Sequence, residues 1–206
     1  MNIFVLNTGR CGSTTFIEAC KHISNFSSAH ESRSKLLGED RLNYPNNHIE
    51  ADNRLSWVLG RLDKVYGNDA VYIHLKRDDN ATARSFVKRF SKGIIKSYKD
   101  GVLMGSLDQD APSNDAPMSV ALDYCDTVNS NIELFLKDKT QKMNFSLENS
   151  QEDFPKFWQL IGAEGNLEAA LAEFSTCYNA SNNNKAKPTL LRRISRKVKG
   201  TLVKGK

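Results

Sequence analysis

The chain has 206 residues, of which 39% are hydrophobic and 26% charged, and this is the composition of an ordinary globular domain. The length suits one α/β domain and is short for two, and no apolar run approaches the roughly 20 residues that a membrane-spanning helix needs. The net charge of +5 is uneven: residues 185–206 hold nine lysines and arginines and no acid, which leaves −4 for residues 1–184. The charge therefore indicates no general nucleic-acid surface on the body, and no nucleic-acid partner is expected.

Strand and helix patterns alternate along the chain. Strands are predicted at 3–6, 26–29, 70–77 and 142–148, and helices at 13–22, from Asp52 to about 66, and at 80–90, 119–136, 151–161 and 166–175. Residues 30–50 are polar and contain glycine and proline, so they are predicted to be irregular, as is the loop at 101–117. The alternation predicts a three-layer α/β fold with a mostly parallel central sheet flanked by helices. We expect one domain at 1–180 and a basic tail at 181–206.

The cysteines and the first residues indicate the compartment. Cysteines stand at 11, 20, 125 and 177 without a CxxC pair or metal-ligand spacing, which predicts free thiols in a reducing environment. The apolar residues 2–6 are too few for a signal peptide and have no basic flank. A cytoplasmic protein that needs no metal is the expectation.

A glycine-rich turn follows the first predicted strand. The segment "NTGRCGSTTF", residues 7–16, places Gly9 and Gly12 before three hydroxyl side chains at a helix start. Backbone N–H groups of such a turn, together with a helix N-terminus, can hold a phosphate, although a plain strand-to-helix turn uses glycines in the same way. The lysine of the Gly-Lys-Ser/Thr motif is missing, and Arg10 stands before the second glycine instead.

A second polar segment, "RDDNATARS", follows the predicted strand at 70–77. It places Ser85 eight residues after Arg77, so a guanidinium and a hydroxyl could share one phosphate. The alternative is a surface ion pair between Arg77 and Asp78 or Asp79. Ligands of parallel sheets lie beyond the carboxyl ends of the strands. We therefore expect the glycine-rich segment and the arginine-containing segment at the same edge of the sheet.

Together these segments resemble the sulfotransferases that use 3′-phosphoadenosine 5′-phosphosulfate (PAPS), a family with a P-loop NTPase-like fold. "TGRCGSTTF" is similar to the family motif for the 5′-phosphosulfate, and "RDDNATARS" matches the Arg–Ser spacing of its 3′-phosphate motif. Residues 145–165 are similar to the family's late strand and helix. The family often has lysine where Arg10 stands, and often Arg-Asn-Pro where this chain has Arg77-Asp78-Asp79.

The resemblance implies sulfonate transfer from PAPS to an acceptor hydroxyl, a carbohydrate or another small molecule, without a metal. The implied PAPS-binding residues are Arg10, Cys11, Gly12, Ser13, Thr14, Thr15, Arg77 and Ser85. Arg10 is also the candidate that stabilises charge on the leaving oxygen, because an arginine stays protonated.

The acceptor hydroxyl needs a general base. Glu31 and His30 follow the second predicted strand, at the expected reaction edge. The resemblance favours an acid here for carbohydrate-acting members and a histidine for those acting on small molecules. Glu31 is our expected base and His30 the alternative, with acceptor contacts from 30–50 and 93–117.

Two other functions remain open from the sequence. A P-loop nucleotide or nucleoside kinase would need the missing lysine and a Mg²⁺-binding aspartate, and a non-catalytic module would dock through its basic tail. The tail itself has three interpretations: closure over the nucleotide, peripheral contact with an anionic membrane, or a solubilising end. The sequence does not indicate the oligomeric state.

Overall fold

A parallel sheet forms the middle layer of the fold. The computed structural model describes residues 1–105 and 116–176. Within these ranges the strands are β1 (Asn2–Leu6), β2 (Ser27–His30), β3 (His48–Ala51), β4 (Ala70–Lys76) and β5 (Lys142–Ser146). They lie in the order β2-β3-β1-β4-β5, and every neighbouring pair is parallel. The predicted fold class, a three-layer α/β arrangement of the P-loop type, is confirmed.

Helices cover both faces of this sheet. The α-helices of the described ranges are α1 (Ser13–Cys20), α2 (Leu59–Tyr66), α3 (Asp79–Val87), α4 (Gly93–Ser97), α5 (Ala116–Leu136), α6 (Ser150–Leu160) and α7 (Leu167–Glu173). Residues of α1, α6 and α7 pack in one apolar core, and residues of α2 to α5 pack in the other. Short 3₁₀ turns at Gly38–Arg41 and Asn53–Trp57 and a π-helical turn at Tyr98–Val102 complete the set.

Strand β1 shows why the sequence selects this arrangement. Phe4 and Leu6 point into the core with α2 to α5, while Ile3 and Val5 point into the core with α1, α6 and α7. All four side chains are fully buried. A strand covered on both faces reads as a continuous apolar run, as the sequence predicts for β1.

The predicted irregular segment at 30–50 is wrong at residues 48–50, because these residues begin strand β3. The strand lies between β1 and β2 and carries two polar side chains, His48 and Glu50, that are buried. Their Nε2 and Oε2 atoms are 3.0 Å apart, and the ring of Tyr44 stacks on His48. Buried polar groups need partners, and both side chains have them in the fold. In the sequence, however, two polar residues interrupt the apolar pattern that indicates a buried strand.

The helix predicted from Asp52 is divided in two. Asp52 does cap a helical turn, because its Oδ1 accepts the Arg54 N–H at 2.8 Å, but that turn is 3₁₀ and stops at Trp57 before α2 begins. The loop expected over 93–117 holds α4 and the π-helical turn in its first part, and residues 106–115 lie outside the described residues, as does the basic tail.

Three of the four cysteines lie in the described ranges. Cys11, Cys20 and Cys125 are free thiols and buried. In these parts of the chain, none of the helices has both the length and the apolarity that crossing a membrane requires.

Candidate functional site

A cleft of about 1470 Å³ lies along the edge of the sheet where the strands end. It is lined by the loop between β1 and α1, by His30 and Glu31 at the end of β2, by Asn53 and Arg54 after β3, and by Arg77 and much of α3 after β4. The structure thus brings together the two segments that the sequence singles out. This is where a parallel sheet is expected to bind its ligands.

The loop after β1 has a left-handed backbone at three positions. Gly9, Arg10 and Gly12 have φ values of 80°, 60° and 92°. A Cβ atom on Gly12 would lie 2.6 Å from Cδ1 of Leu147, so both the backbone and the space require glycine there. The Asn7 side chain holds the turn, since its Oδ1 accepts the Gly9 N–H at 2.8 Å and its Nδ2 donates to the Val5 carbonyl at 2.9 Å.

The same loop leads into the N-terminus of α1. Gly12 is the N-cap. Among the described residues, no side chain caps this helix end, and the first turn contains no acid. The N–H groups of residues 13–15 therefore start a helix whose positive dipole end is not neutralised by a carboxylate. Ser13, Thr14 and Thr15 line the cleft, and the arrangement is suited to a phosphate.

Arg10 and Ser85 meet directly, although they are 75 positions apart. Arg10 Nε donates to Ser85 Oγ at 3.0 Å, and Arg77 Nη1 donates to the Arg10 carbonyl at 3.4 Å. Ser85 reaches this point because α3 begins directly after Arg77 and Asp78, where Asp78 Oδ1 caps the Ala81 N–H at 2.7 Å. The two sequence motifs are therefore one constellation.

The surface ion pair that the sequence left open for Arg77 is not formed. Asp78 caps α3 and lies 3.9 Å from Arg84 Nη2. Asp79 Oδ1 accepts from Asn129 Nδ2 at 3.2 Å. Both acids have other partners, and Arg77 instead faces the cleft beside the glycine-rich loop.

The cleft is strongly cationic. Among the residues that the structure describes, seven basic side chains and one acid, Glu31, line it; the basic ones are Arg10, Arg54, Arg77, Arg84, Lys88, Arg89 and Lys92. Burial, followed by the charges of Arg89 and Arg77, lowers the pKa of Arg10. Because residues 1–184 carry a net charge of −4, this local excess of positive charge indicates an anionic ligand.

The two candidate bases lie on the opposite wall from Arg77. Glu31 Oε2 is 2.7 Å from Arg54 Nη1, and His30 Nε2 is 2.9 Å from Ser13 Oγ. Glu31 has φ of 53°, so it shares with Arg10 a backbone conformation that non-glycine residues rarely adopt. Strain of this kind concentrates at functional sites.

Cys11 differs from its neighbours in the loop. Its side chain is 1% exposed and packs in the core beneath α1, with Sγ 3.5 Å from Asn7 Oδ1. Burial raises the pKa of the thiol to about 11. Cys11 therefore does not line the cleft, unlike the other residues that the sequence assigns to PAPS binding.

Sequence reasoning missed several lining residues. Lys88, Arg89 and Lys92 follow α3 in the basic run "VKRFSKG", which is a usable signal for an anion site. Asn53 gave no such signal, because its place beside the loop depends on β3. Asn53 Nδ2 donates to the Thr8 carbonyl at 3.4 Å and also packs against Gly9.

Comparison of the chain with protein-family models, curated proteins and solved structures gave no match. Function is therefore inferred from the chemistry of the cleft. In residues 1–105 and 116–176, no three His, Cys, Asp or Glu side chains are grouped so that they could hold a metal ion.

Proposed function

We propose that the chain is a sulfotransferase that moves a sulfonate group from PAPS to an acceptor hydroxyl. The observation that carries the proposal is the meeting of two phosphate-type segments in one cationic cleft, where Arg10 Nε lies 3.0 Å from Ser85 Oγ. A single glycine-rich turn would be weak support, since many strand-to-helix turns contain glycine. Two such segments at the same edge of the sheet fit a ligand with two separate phosphate groups.

The residues present fit PAPS in three respects. The helix end at Ser13 lacks an acidic side chain in its first turn, and this suits the 5′-phosphosulfate. Arg77 and Ser85 stand where a rigid donor fork and a hydroxyl can hold a doubly charged 3′-phosphate. The charged side chains of the lining are basic apart from Glu31, and this favours a polyanion over a neutral ligand.

In the proposed reaction, PAPS supplies a sulfonate whose bond to the bridging phosphate oxygen breaks as a new bond to the acceptor oxygen forms. Negative charge then develops on the bridging oxygen. Arg10 is the proposed group that stabilises this charge, because it belongs to the glycine-rich loop, lines the cleft and carries a guanidinium that remains protonated. Ser13 and Thr14 hold the 5′-phosphate with their N–H and hydroxyl groups.

Glu31 is the proposed acceptor of the proton from the attacking hydroxyl. Glu31 Oε2 forms an ion pair with Arg54 Nη1 at 2.7 Å. This ion pair holds the carboxylate at the wall of the cleft. An acceptor that contacts Arg54 would leave Glu31 available to take the proton. His30 is the alternative base, although its Nε2 already lies 2.9 Å from Ser13 Oγ.

The structure gives less support to a kinase. Asp52, directly after β3, is a candidate for the Mg²⁺-binding aspartate at a strand end that such an enzyme needs. Asp78 and Asp79, after β4, are bonded to the Ala81 N–H and to Asn129. The Asp52 carboxylate is fully buried and bonded to Arg41 Nη2 at 2.6 Å and to the Arg54 N–H at 2.8 Å. These contacts direct it into the protein rather than into the cleft. We also propose a cytoplasmic location, which the three buried free thiols support.

A transfer assay tests the proposal. Radiolabelled PAPS is incubated with the protein in EDTA and with neutral sugars, anionic glycans or phenols as acceptors, and labelled product and 3′-phosphoadenosine 5′-phosphate are measured. We expect transfer that Arg10→Ala abolishes. The matched control is Arg61→Ala, because Arg61 lies outside the cleft and donates to the Gly38 carbonyl. Phosphorylation of an acceptor by ATP with Mg²⁺, without any sulfonate transfer, would overturn the proposal in favour of a kinase.

A further inference from the structure

The buried carboxylate of Glu50 lies next to the turn that carries Glu31. Glu50, in the middle of β3, is fully buried, and a buried carboxylate is strongly unfavourable unless donors surround it. Its Oε1 accepts the Ser32 N–H at 2.7 Å, its Oε2 accepts the Ser32 hydroxyl at 2.6 Å, and His48 Nε2 lies 3.0 Å from Oε2. Glu50 does not line the cleft.

These bonds act on the turn that presents Glu31. The Glu31 N–H donates to the Ala51 carbonyl at 3.0 Å, so the chain is still held to β3 at this residue. It then turns at Glu31, where φ is 53°. A non-glycine residue keeps such a conformation only when its surroundings impose it. The next residue, Ser32, donates two hydrogen bonds to Glu50, and these fix the backbone after the turn.

We infer that Glu50 is a positioning residue, which fixes the turn at His30–Ser32 and thereby aims Glu31 and His30 at the reaction centre. The inference rests on the proposed function in that Glu31 is the base of that reaction. Glu50 acts on the backbone of the turn and does not touch the ligand. The side-chain contacts of the turn, Glu31 to Arg54 and His30 to Ser13, depend on its backbone being fixed.

A purely structural role for Glu50 makes different predictions. If the carboxylate only stabilised the strand, its loss would lower the stability of the whole domain and would leave the geometry of the turn unchanged in the folded protein. If it positions the turn, the folded variant would bind nucleotide normally and lose turnover. The proposed 3′-phosphate contacts, Arg77 and Ser85, follow β4 and have no hydrogen bond to Glu50 or to the turn. His30 Nε2 does lie 2.9 Å from Ser13 Oγ, but the proposed 5′-phosphate site also uses the backbone N–H groups of the glycine-rich loop, which this contact does not hold.

The test uses two variants and a control. Glu50→Gln keeps the shape of the side chain but weakens its hold on both Ser32 donors, and Ser32→Ala removes one donor at an exposed position, so folding is maintained. Ser24→Ala is the control, because Ser24 is also exposed but lies outside the cleft and outside the 30–50 segment. Because a displacement of about 1 Å can cost roughly 100-fold in rate, we expect kcat to fall about 10- to 100-fold in Glu50→Gln and less in Ser32→Ala. The KM for PAPS should be unchanged in all three variants, and the kcat of Ser24→Ala should equal that of the wild type.

Two further measurements separate positioning from stability and from the function itself. In a Glu31→Gln background, Glu50→Gln should cause no additional loss of kcat, because it acts through Glu31; a fully additive loss would overturn the inference. The imidazole NMR resonances of His30 should shift in Glu50→Gln while those of His22 stay in place. If the wild-type chain transfers no sulfonate, the proposed function fails, whereas an unchanged His30 spectrum in both variants refutes the role of Glu50.

Discussion

Replacement of Gly12 by alanine tests the glycine-rich loop most sharply. The backbone at Gly12 has φ of 92°, and an added Cβ would lie 2.6 Å from Cδ1 and 2.8 Å from Cδ2 of Leu147. A left-handed backbone costs a non-glycine residue about 1–3 kcal/mol. The overlap adds less than this, because the contacted atoms are the far end of a flexible, half-buried leucine.

The expected effect follows from these two contributions. In a domain of this size 1 kcal/mol lowers the melting temperature by about 2–4 °C, so Gly12→Ala should lower it by roughly 2–12 °C. Affinity for 3′-phosphoadenosine 5′-phosphate should fall at least about tenfold, since relaxation of the backbone turns the loop N–H groups away from the phosphate. Thermal unfolding and calorimetric titration measure the two effects.

Two companion variants isolate the cause. Gly60→Ala is the matched control, because Gly60 lies in α2 with open space around its Cα, and it should stabilise the protein by about 0.5–1 kcal/mol. Adding Leu147→Ala to Gly12→Ala removes the overlap but leaves the backbone strain, so it should restore little affinity. Wild-type stability and nucleotide affinity in Gly12→Ala would refute a phosphate loop that depends on a left-handed backbone.

The remaining predictions concern the base and the buried ion pair. Glu31→Gln should leave nucleotide affinity unchanged and lower turnover by about 10²- to 10⁴-fold; unchanged turnover would transfer the role to His30. Arg41→Leu leaves the Asp52 carboxylate buried without its ion-pair partner and should destabilise the protein by about 3–5 kcal/mol at neutral pH, as measured by denaturant unfolding. Burial raises the pKa of Asp52, so the ionised form is the destabilising one, and the deficit of Arg41→Leu relative to wild type should shrink as the pH falls through that raised pKa. A deficit that stays constant with pH, or that the double variant with Asp52→Leu does not reduce, would contradict this account.

The two central strands could be predicted because their buried residues are nearly all apolar. β1 and β4 lie at the centre of the sheet and read as continuous hydrophobic runs. β3 also lies inside the sheet, but two of its four residues, His48 and Glu50, are polar and find partners in each other and in neighbouring serines. Such a pair is visible only once the strand is folded, so the sequence pattern indicated a loop.

The candidate site also has parts that the sequence predicts and parts that only the fold reveals. The glycine-rich loop and the pair Arg77 and Ser85 are local patterns, and the topology of a parallel sheet is sufficient to bring them to one edge. The contact between Arg54 and Glu31 depends on the adjacency of β2 and β3, which the sequence did not reveal. The inward orientation of Cys11 likewise follows from the packing of α1 on the sheet rather than from the motif.

Titration with 3′-phosphoadenosine 5′-phosphate in EDTA, set beside adenosine 5′-phosphate, tests the central claim most directly. We expect metal-independent binding of the 3′-phosphorylated ligand by the wild-type protein. Arg77→Ala should weaken it about 10- to 100-fold, since a hydrogen bond to a charged group contributes about 1.5–3 kcal/mol, and should leave binding of adenosine 5′-phosphate unchanged. Equal losses for both ligands, or binding only of ATP with Mg²⁺, would contradict the assignment of this cleft to PAPS.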